Sequence, residues 1–343
     1  MKDAPFFGDL AQGPDGGCAF WLGTHDGVQV RAGLWRPTPK DATETAGTVL
    51  LFPGRTEYIE KYGRTATAFA EAGLSTFVID WRGQGLADRL SDDVMSGHIN
   101  HFPDYQNDVA AMVEAAERLD LPKPWFVLGH SMGGCIALRA VMEGLPVAAA
   151  SFSAPMWGIR ISTALRPVAW SLSWGSRGVG LDHIYAPGTT PNSYVLSEPF
   201  ESNRLTTDPE MYDYMIGQVQ AHPELTIGGP SLRWLYESLV ETRRLMRRPS
   251  PDLPCLTLLG TEEDIVDASR IHERMARWPE GTLELVEGAQ HEVLMEAAEI
   301  RNRLHTRLTT FYADVKSRLE QSGAGAQAAG FQAPSHPQVQ GIG

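Results

Sequence analysis

The 343-residue sequence has no run of apolar residues long enough to cross a bilayer. Its most apolar stretch, residues 147–157, is broken by Ser151, Ser153 and Pro155. Met1-Lys2-Asp3-Ala4-Pro5 lacks a basic region followed by an apolar one, so no secretory leader is expected. Cysteine is scarce. Cys18, Cys135 and Cys255 are odd in number and include no close pair, which argues against a disulfide framework or a Cys-pair metal site. They read as reduced core thiols of a cytoplasmic protein. Positive charge is also in deficit, 29 Lys and Arg against 42 Asp and Glu. A net charge of −13 argues against a nucleic-acid partner and against strong attraction to an anionic membrane. Internal repeats are absent, and residues 322–343 hold no Asp, Glu, Lys or Arg and little apolar mass, as expected of a disordered tail.

What is present is a core. With 43% hydrophobic residues, the chain suits one large domain carrying an insertion. Residues 17–36 read as two strands around an Asp26-Gly27 turn. Residues 48–52 form a continuous apolar run, as in a parallel strand buried on both faces, and 75–79, 125–128 and 147–153 read as further strands of the same kind. Stripes at helical spacing lie between them: Ile59, Tyr62, Ala66, Phe69 and Ala70, then Tyr105, Val109, Met112, Val113 and Ala116. The alternation predicts an α/β fold, a mostly parallel central sheet with helices on both faces. It stops over residues 155–248, rich in Trp, Gly and Pro, with helical pieces near 211–220 and 231–246; this stretch is expected to be a largely helical lid. It resumes with strands at 255–259 and 283–286, a helix at 269–278 and a long last helix carrying Ala297, Ile300, Leu304, Leu308, Phe311 and Val315. The expected organisation is therefore residues 1–154 and 249–321 as the two parts of the core, 155–248 as the lid and 322–343 as the tail.

The chemistry centres on Gly129-His130-Ser131-Met132-Gly133, where the apolar run from Trp125 ends and a helix begins. A serine in a sharp strand-to-helix turn presents its hydroxyl at the top of a sheet, and the flanking glycines avoid collisions that a Cβ would cause. A serine hydroxyl becomes a nucleophile when a neutral imidazole takes its proton and a carboxylate fixes that imidazole. With the chain order Ser, acid, His, the base must follow the last strand, which selects His291; His272 and His305 fall on helices and His336 in the tail. The acid belongs to the loop after the 255–259 strand. Asp264 is favoured, with Ile265 and Val266 to anchor it, over Asp267, a ready helix N-cap, and Glu263. An oxyanion needs backbone N–H donors. Met132 supplies one, with the positive end of its helix, and Arg55 the other, because Pro53 has no N–H and Gly54 lets the chain turn.

Together, Gly129 to Gly134, Asp80-Trp81-Arg82-Gly83-Gln84-Gly85, Gly260 to Asp267 and Glu287-Gly288-Ala289-Gln290-His291 resemble the α/β-hydrolase superfamily. More narrowly, they resemble its monoacylglycerol lipase and bacterial lysophospholipase branch, with Phe52 to Tyr62 similar to that branch's oxyanion loop. The resemblance spans residues 15–318, the lid matching poorly. It implies Ser131 as nucleophile, Asp264 and His291 as its partners, and Arg55 and Met132 as backbone donors. Two positions depart from the family: Pro53 stands where His is usual, and Gln84-Gly85-Leu86-Ala87 replaces a His-Gly-Ser pattern.

The expected activity is hydrolysis of the acyl ester of a monoacyl lipid, lysophospholipid or monoacylglycerol, through an acyl-enzyme on Ser131. No metal or cofactor is implied, and a transient membrane-surface contact is left open. Lid residues Met156, Met211, Met215 and Met246 suit an acyl chain; the cluster Arg243, Arg244, Arg247 and Arg248 reads as a solvated helix face. The alternatives are a proline-releasing aminopeptidase, which needs a lid carboxylate such as Glu198, Glu201 or Glu241, and a non-catalytic small-molecule binding protein on the same fold.

Overall fold

The computed structural model describes residues 1–38, 45–162 and 164–322. The expected tail beyond Ser322, and residues 39–44 of the polar loop, lie outside the described residues.

Nine strands form one sheet: β1 (Lys2–Asp3), β2 (Cys18–Gly23), β3 (Gln29–Trp35), β4 (Gly47–Phe52), β5 (Leu74–Asp80), β6 (Trp125–His130), β7 (Ala149–Ser153), β8 (Cys255–Gly260) and β9 (Gly281–Val286). Their order is β1-β2-β3-β5-β4-β6-β7-β8-β9. The pairs from β5 through β9 are parallel, and β1, β2 and β3 extend the sheet antiparallel. The described helices are α1 (Gly8–Ala11), α2 (Gly63–Glu71), α3 (Tyr105–Arg118), α4 (Ser131–Met142), α5 (Arg166–Gly178), α6 (Tyr194–Ser197), α7 (Pro209–Ala221), α8 (Leu232–Met246), α9 (Ala268–Met275) and α10 (Ala298–Ser322).

Every residue of β4, β5 and β6 is buried, which accounts for their largely apolar sequences. Successive side chains alternate between two cores. Leu50, Phe52, Phe77, Ile79 and Val127 pack with Val109, Ile136 and Ile271 of α3, α4 and α9. Val49, Leu51, Val78, Phe126 and Leu128 pack with Phe69 of α2 and with Leu304, Leu308 and Tyr312 of α10. Each fully buried Leu, Val or Phe contributes roughly 1.5–3 kcal/mol of transfer free energy, so both sheet faces are strongly held. Cys18, Cys135 and Cys255 are free thiols, and burial raises the pKa of each.

Between β7 and β8 the chain forms α5 to α8 and, among the described residues, no strand longer than an isolated bridge. The N-termini of α7 and α8 are capped by Asp208, which accepts the Glu210 N–H at 2.9 Å, and Ser231, which accepts the Trp234 N–H at 3.1 Å. Helix α5 has no counterpart in the sequence reading. Its inward positions hold Ser173 and Ser176, while Val168, Leu172 and Trp174 face solvent, so it carries no core-facing apolar stripe. Trp157, within the stretch expected to form the lid, packs on the sheet domain. It is buried against Phe152 and stacks on Trp278 at 6.2 Å.

Candidate active site

Ser131 is the first residue of α4 and sits at φ = +48°, the left-handed region that L side chains rarely adopt. The surroundings enforce this strain. A Cβ on Gly129 would lie 2.8 Å from the Gly134 Cα, and one on Gly133 would lie 2.0 Å from the Phe52 carbonyl oxygen. The same glycine lets the first turn of α4 press against the end of β4, bringing Met132 beside the Pro53–Glu57 loop. From behind, the Met156 N–H donates to the Ser131 carbonyl at 2.8 Å.

His291 follows β9 and is buried, with Nδ1 held 2.7 Å from a carboxylate oxygen. That carboxylate is Glu263, not the expected Asp264. Glu263 Oε2 meets His291, while Oε1 accepts the Ile265 and Val266 N–H groups at 2.6 and 2.9 Å. The anchors foreseen for Asp264 thus hold its neighbour through their backbones. Burial would raise the Glu263 pKa, but the imidazole and these two amides outweigh it and hold the carboxyl below its ordinary value. Asp264 turns outward to Arg160 and to Arg204, 3.1 Å away. Asp267 stands at the N-cap of α9 without a capping hydrogen bond and accepts instead from Ser269 and Arg166.

The loop after β4 is fixed atom by atom. Trp81 Nε1 donates to the Pro53 carbonyl at 2.9 Å, and Gln84 Nε2 to the Gly54 carbonyl at 2.7 Å. The Gly54 N–H goes to Glu57, and the Thr56 N–H to Gln84 Oε1 at 3.3 Å. Thr56 is itself left-handed, at φ = +68°. With the amides on either side engaged, no acceptor takes the Arg55 N–H among the described residues. Met132 lies in the first turn of α4, where N–H groups have no intrahelical partner. These are the donor conditions an oxyanion requires.

A second charged cluster lies behind the loop, drawn from places far apart in the chain. Lys61 Nζ contacts Glu57 and, at 2.6 Å, Glu292; the Tyr62 hydroxyl also donates to Glu57. His130 Nδ1 is 3.0 Å from the Ser153 carbonyl, which can only accept, so this nitrogen carries a proton. Its Nε2 faces Glu292 at 3.3 Å and Glu57 at 3.6 Å and must be protonated too. Burial would depress the His130 pKa, but Glu292 and Glu57 outweigh it and hold it above the ordinary value. Burial likewise opposes ionisation of Glu292, yet His130 and Lys61 hold its pKa well below the ordinary value. Glu57, His130 and Glu292 are close enough to share a cation, but Lys61 and protonated His130 already balance the two carboxylates.

Ser131, His291, Arg55 and Met132 line one cavity of about 310 Å³ under the helical insertion. Its apolar wall includes Met156, Val195, Leu205, Met215, Val219 and Trp234. Of the four methionines expected to meet an acyl chain, Met156 and Met215 reach it, whereas Met211 packs with Tyr212 and Met246 against the body. The carboxylates on the wall, Glu57 and Glu292, are consumed by Lys61 and His130. Glu198 and Glu201 do not line the cavity, and buried Glu241 pairs with Arg139 at 2.8 Å. Among the described residues, the insertion presents no free carboxylate to hold a substrate amine.

A strained serine after a central parallel strand, with a carboxylate-held histidine after the last strand, places the protein among the α/β-hydrolases. The family model described as serine aminopeptidase, S33 matches residues 43–298. The chain belongs to that family and, among the α/β-hydrolases, to the branch of carboxylic ester hydrolases that contains lysophospholipases and monoacylglycerol lipases. It is 32% identical to lysophospholipase L2 of Escherichia coli strain K12 over 266 residues, 74% of this chain and 76% of the relative. It is 27% identical to the probable lysophospholipase L2 of Haemophilus influenzae over 258 residues, 75% and 80% of the two chains. In fold it is similar to a soluble variant of Saccharomyces cerevisiae monoglyceride lipase in complex with a substrate analog, with TM-score 0.67 at 18% identity, covering 87% of this chain and 96% of that one.

Proposed function

We propose that the protein hydrolyses the acyl ester of a monoacyl lipid, a lysophospholipid or monoacylglycerol, through an acyl-enzyme on Ser131. His291 takes the serine proton at Nε2, since Nδ1 is committed to Glu263. Glu263 replaces Asp264 as the carboxylate that fixes the ring and stabilises the imidazolium formed as Ser131 attacks. The Arg55 and Met132 amides receive the oxyanion. His291 then returns its proton to the leaving glycerol oxygen, and water attacks the acyl-enzyme by the reverse route.

The observation that carries the lipid reading is the apolar cavity wall ending at Ser131 and His291. An acyl chain fits such a wall, and the carboxylates on it, Glu57 and Glu292, are already committed to Lys61 and His130, which disfavours the aminopeptidase alternative. The insertion over residues 155–248 acts as the lid. Among the described residues, eight of the eleven exposed large apolar side chains lie between Leu165 and Leu196, on and just after α5. A lipid surface that holds the substrate is the proposed partner of this face. The protein is proposed to work in the cytoplasm, consistent with its free thiols, and no described helix is long and apolar enough to cross a membrane.

A panel of lysophospholipids, monoacylglycerols and proline amides, tested with wild type and Ser131→Ala, checks this reading. Turnover of the lipid esters alone, lost in the variant, is expected. Preferential turnover of proline amides would overturn it.

A further inference from the structure

Apart from Arg55, the buried arginines among the described residues lie outside the catalytic cavity and meet carboxylates or backbone carbonyls, although Arg139 and Arg274 each keep an Nε–H without an acceptor. Arg31 meets Glu60 and Asp80, Arg82 meets Asp26 and Asp108, and Arg139 meets Glu241 and Glu143. Arg274 reaches the last carbonyls of α8, including Leu245. Arg55, in the wall of the catalytic cavity, is different. Its Nη2 donates to the Gly228 carbonyl at 2.8 Å, and its Cζ lies 5.3 Å from the ring centre of Trp234, another cavity residue. Its Nε–H is buried without an acceptor. Among the described residues no carboxylate pairs with it. Burial lowers its pKa to about 10, with only the Tyr105 and Tyr185 phenols opposing, so it stays charged at neutral pH. Room for the guanidinium comes from Gly97, where a Cβ would lie 2.6 Å from Nη2.

We propose that the Arg55 guanidinium receives the phosphate of a lysophospholipid substrate, making this residue the determinant of phospholipid over neutral glyceride. The inference rests on the hydrolase reading above. The covalent structure supports it. From the Arg55 amide nitrogen to Cζ there are about six bonds, and from the ester carbonyl carbon through glycerol to phosphorus there are again about six, each of roughly 1.5 Å. A carbonyl oxygen on the amide therefore leaves the phosphate within reach of the side chain. Arginine matches phosphate oxygens with a planar fork, and burial strengthens each charge-assisted hydrogen bond. A monoacylglycerol offers only a hydroxyl there.

The test compares octanoyl lysophosphatidylcholine with octanoylglycerol, short chains chosen to keep both substrates out of micelles. The readout is the ratio of their kcat/KM values, because disturbance of the oxyanion loop falls on both substrates and cancels. In Arg55→Met the ratio is expected to fall about ten- to a hundredfold, the range of one lost hydrogen bond to a charged group. Arg55→Lys, with the charge but not the fork, should fall between. Should Arg55→Met not fold, the Lys variant alone decides, and an unmoved ratio in it overturns the proposal. With folded Arg55→Met, an unchanged ratio overturns the proposal while leaving the hydrolase reading intact. Inorganic phosphate that inhibits wild type but not Arg55→Met, with that ratio unmoved, would assign the site to free phosphate and overturn it as well. If wild type cleaves neither ester, both readings fall together.

Discussion

Two histidines lie with ring centres 4.9 Å apart and differ in what their nitrogens meet. His130, in the elbow, has both nitrogens on acceptors, the Ser153 carbonyl on one side and two carboxylates on the other. It is a buried cation in a balanced set with Lys61, Glu57 and Glu292. His291 has one nitrogen on Glu263 and lines the cavity. The contrast teaches that a carboxylate beside an imidazole does not itself make a base. A base needs a nitrogen left over, and of these two rings only His291 keeps one without a partner among the described residues. The His130 set ties the end of β6 to the loop after β4 through Glu57 and to the His291 loop through Glu292.

The largest separation should come from removing each ring. His291→Ala is expected to lower kcat on a short p-nitrophenyl ester by about 10⁴-fold or more, the scale of losing a member of a catalytic triad. Equal losses in His291→Ala and in a folded His130→Gln would erase the distinction. Next is the carboxylate. Glu263→Gln should cost up to about 10⁴-fold in kcat, because an amide no longer fixes the productive tautomer, while Asp264→Asn should stay within a few-fold. Reversed effects would return the acid to Asp264.

His130→Gln sharpens the structural side. Breaking a buried pair leaves Glu292 and Glu57 undercompensated, and a loss of about 3–5 kcal/mol in denaturant unfolding is expected. The pH dependence has a definite sign. The His130 pKa is raised, so its contribution is fully present below the ordinary histidine pKa of about 6.5 and is lost as pH rises through the raised value. Wild type should therefore lose stability as pH rises through that raised value, and His130→Gln should lose less; parallel profiles would show that the ring is not the titrating cation. A smaller loss of activity than from either His291 or Glu263 is expected of Gln84→Ala, which removes the brace from the Gly54 carbonyl and Thr56 amide. About a tenfold fall in kcat with little change in KM is expected, since the loop acts on the oxyanion more than on bound ester.

Much of this frame is legible in the sequence. The largely apolar runs reflect strands buried on both faces, and the elbow is marked by glycines that the Gly134 and Phe52 backbones demand. Position after the last strand points to His291, which lies against Glu263 and lines the same cavity as Ser131. That Glu263 and not Asp264 meets His291 was not legible, because Ile265 and Val266 act through backbone N–H groups whose direction no side-chain pattern records. The buried charge set draws on residues 57, 61, 130 and 292, and only Glu57 and Lys61, four apart, left a local trace. Helix α5 was invisible for the opposite reason, since its apolar side chains face out.

The most direct test of the central claim is intact-protein and peptide mass spectrometry after brief mixing with a slowly deacylated p-nitrophenyl ester. One acyl group on the peptide containing Ser131 is predicted, absent from Ser131→Ala. Steady turnover of the ester by Ser131→Ala, or an acyl group carried on another residue, would contradict the account.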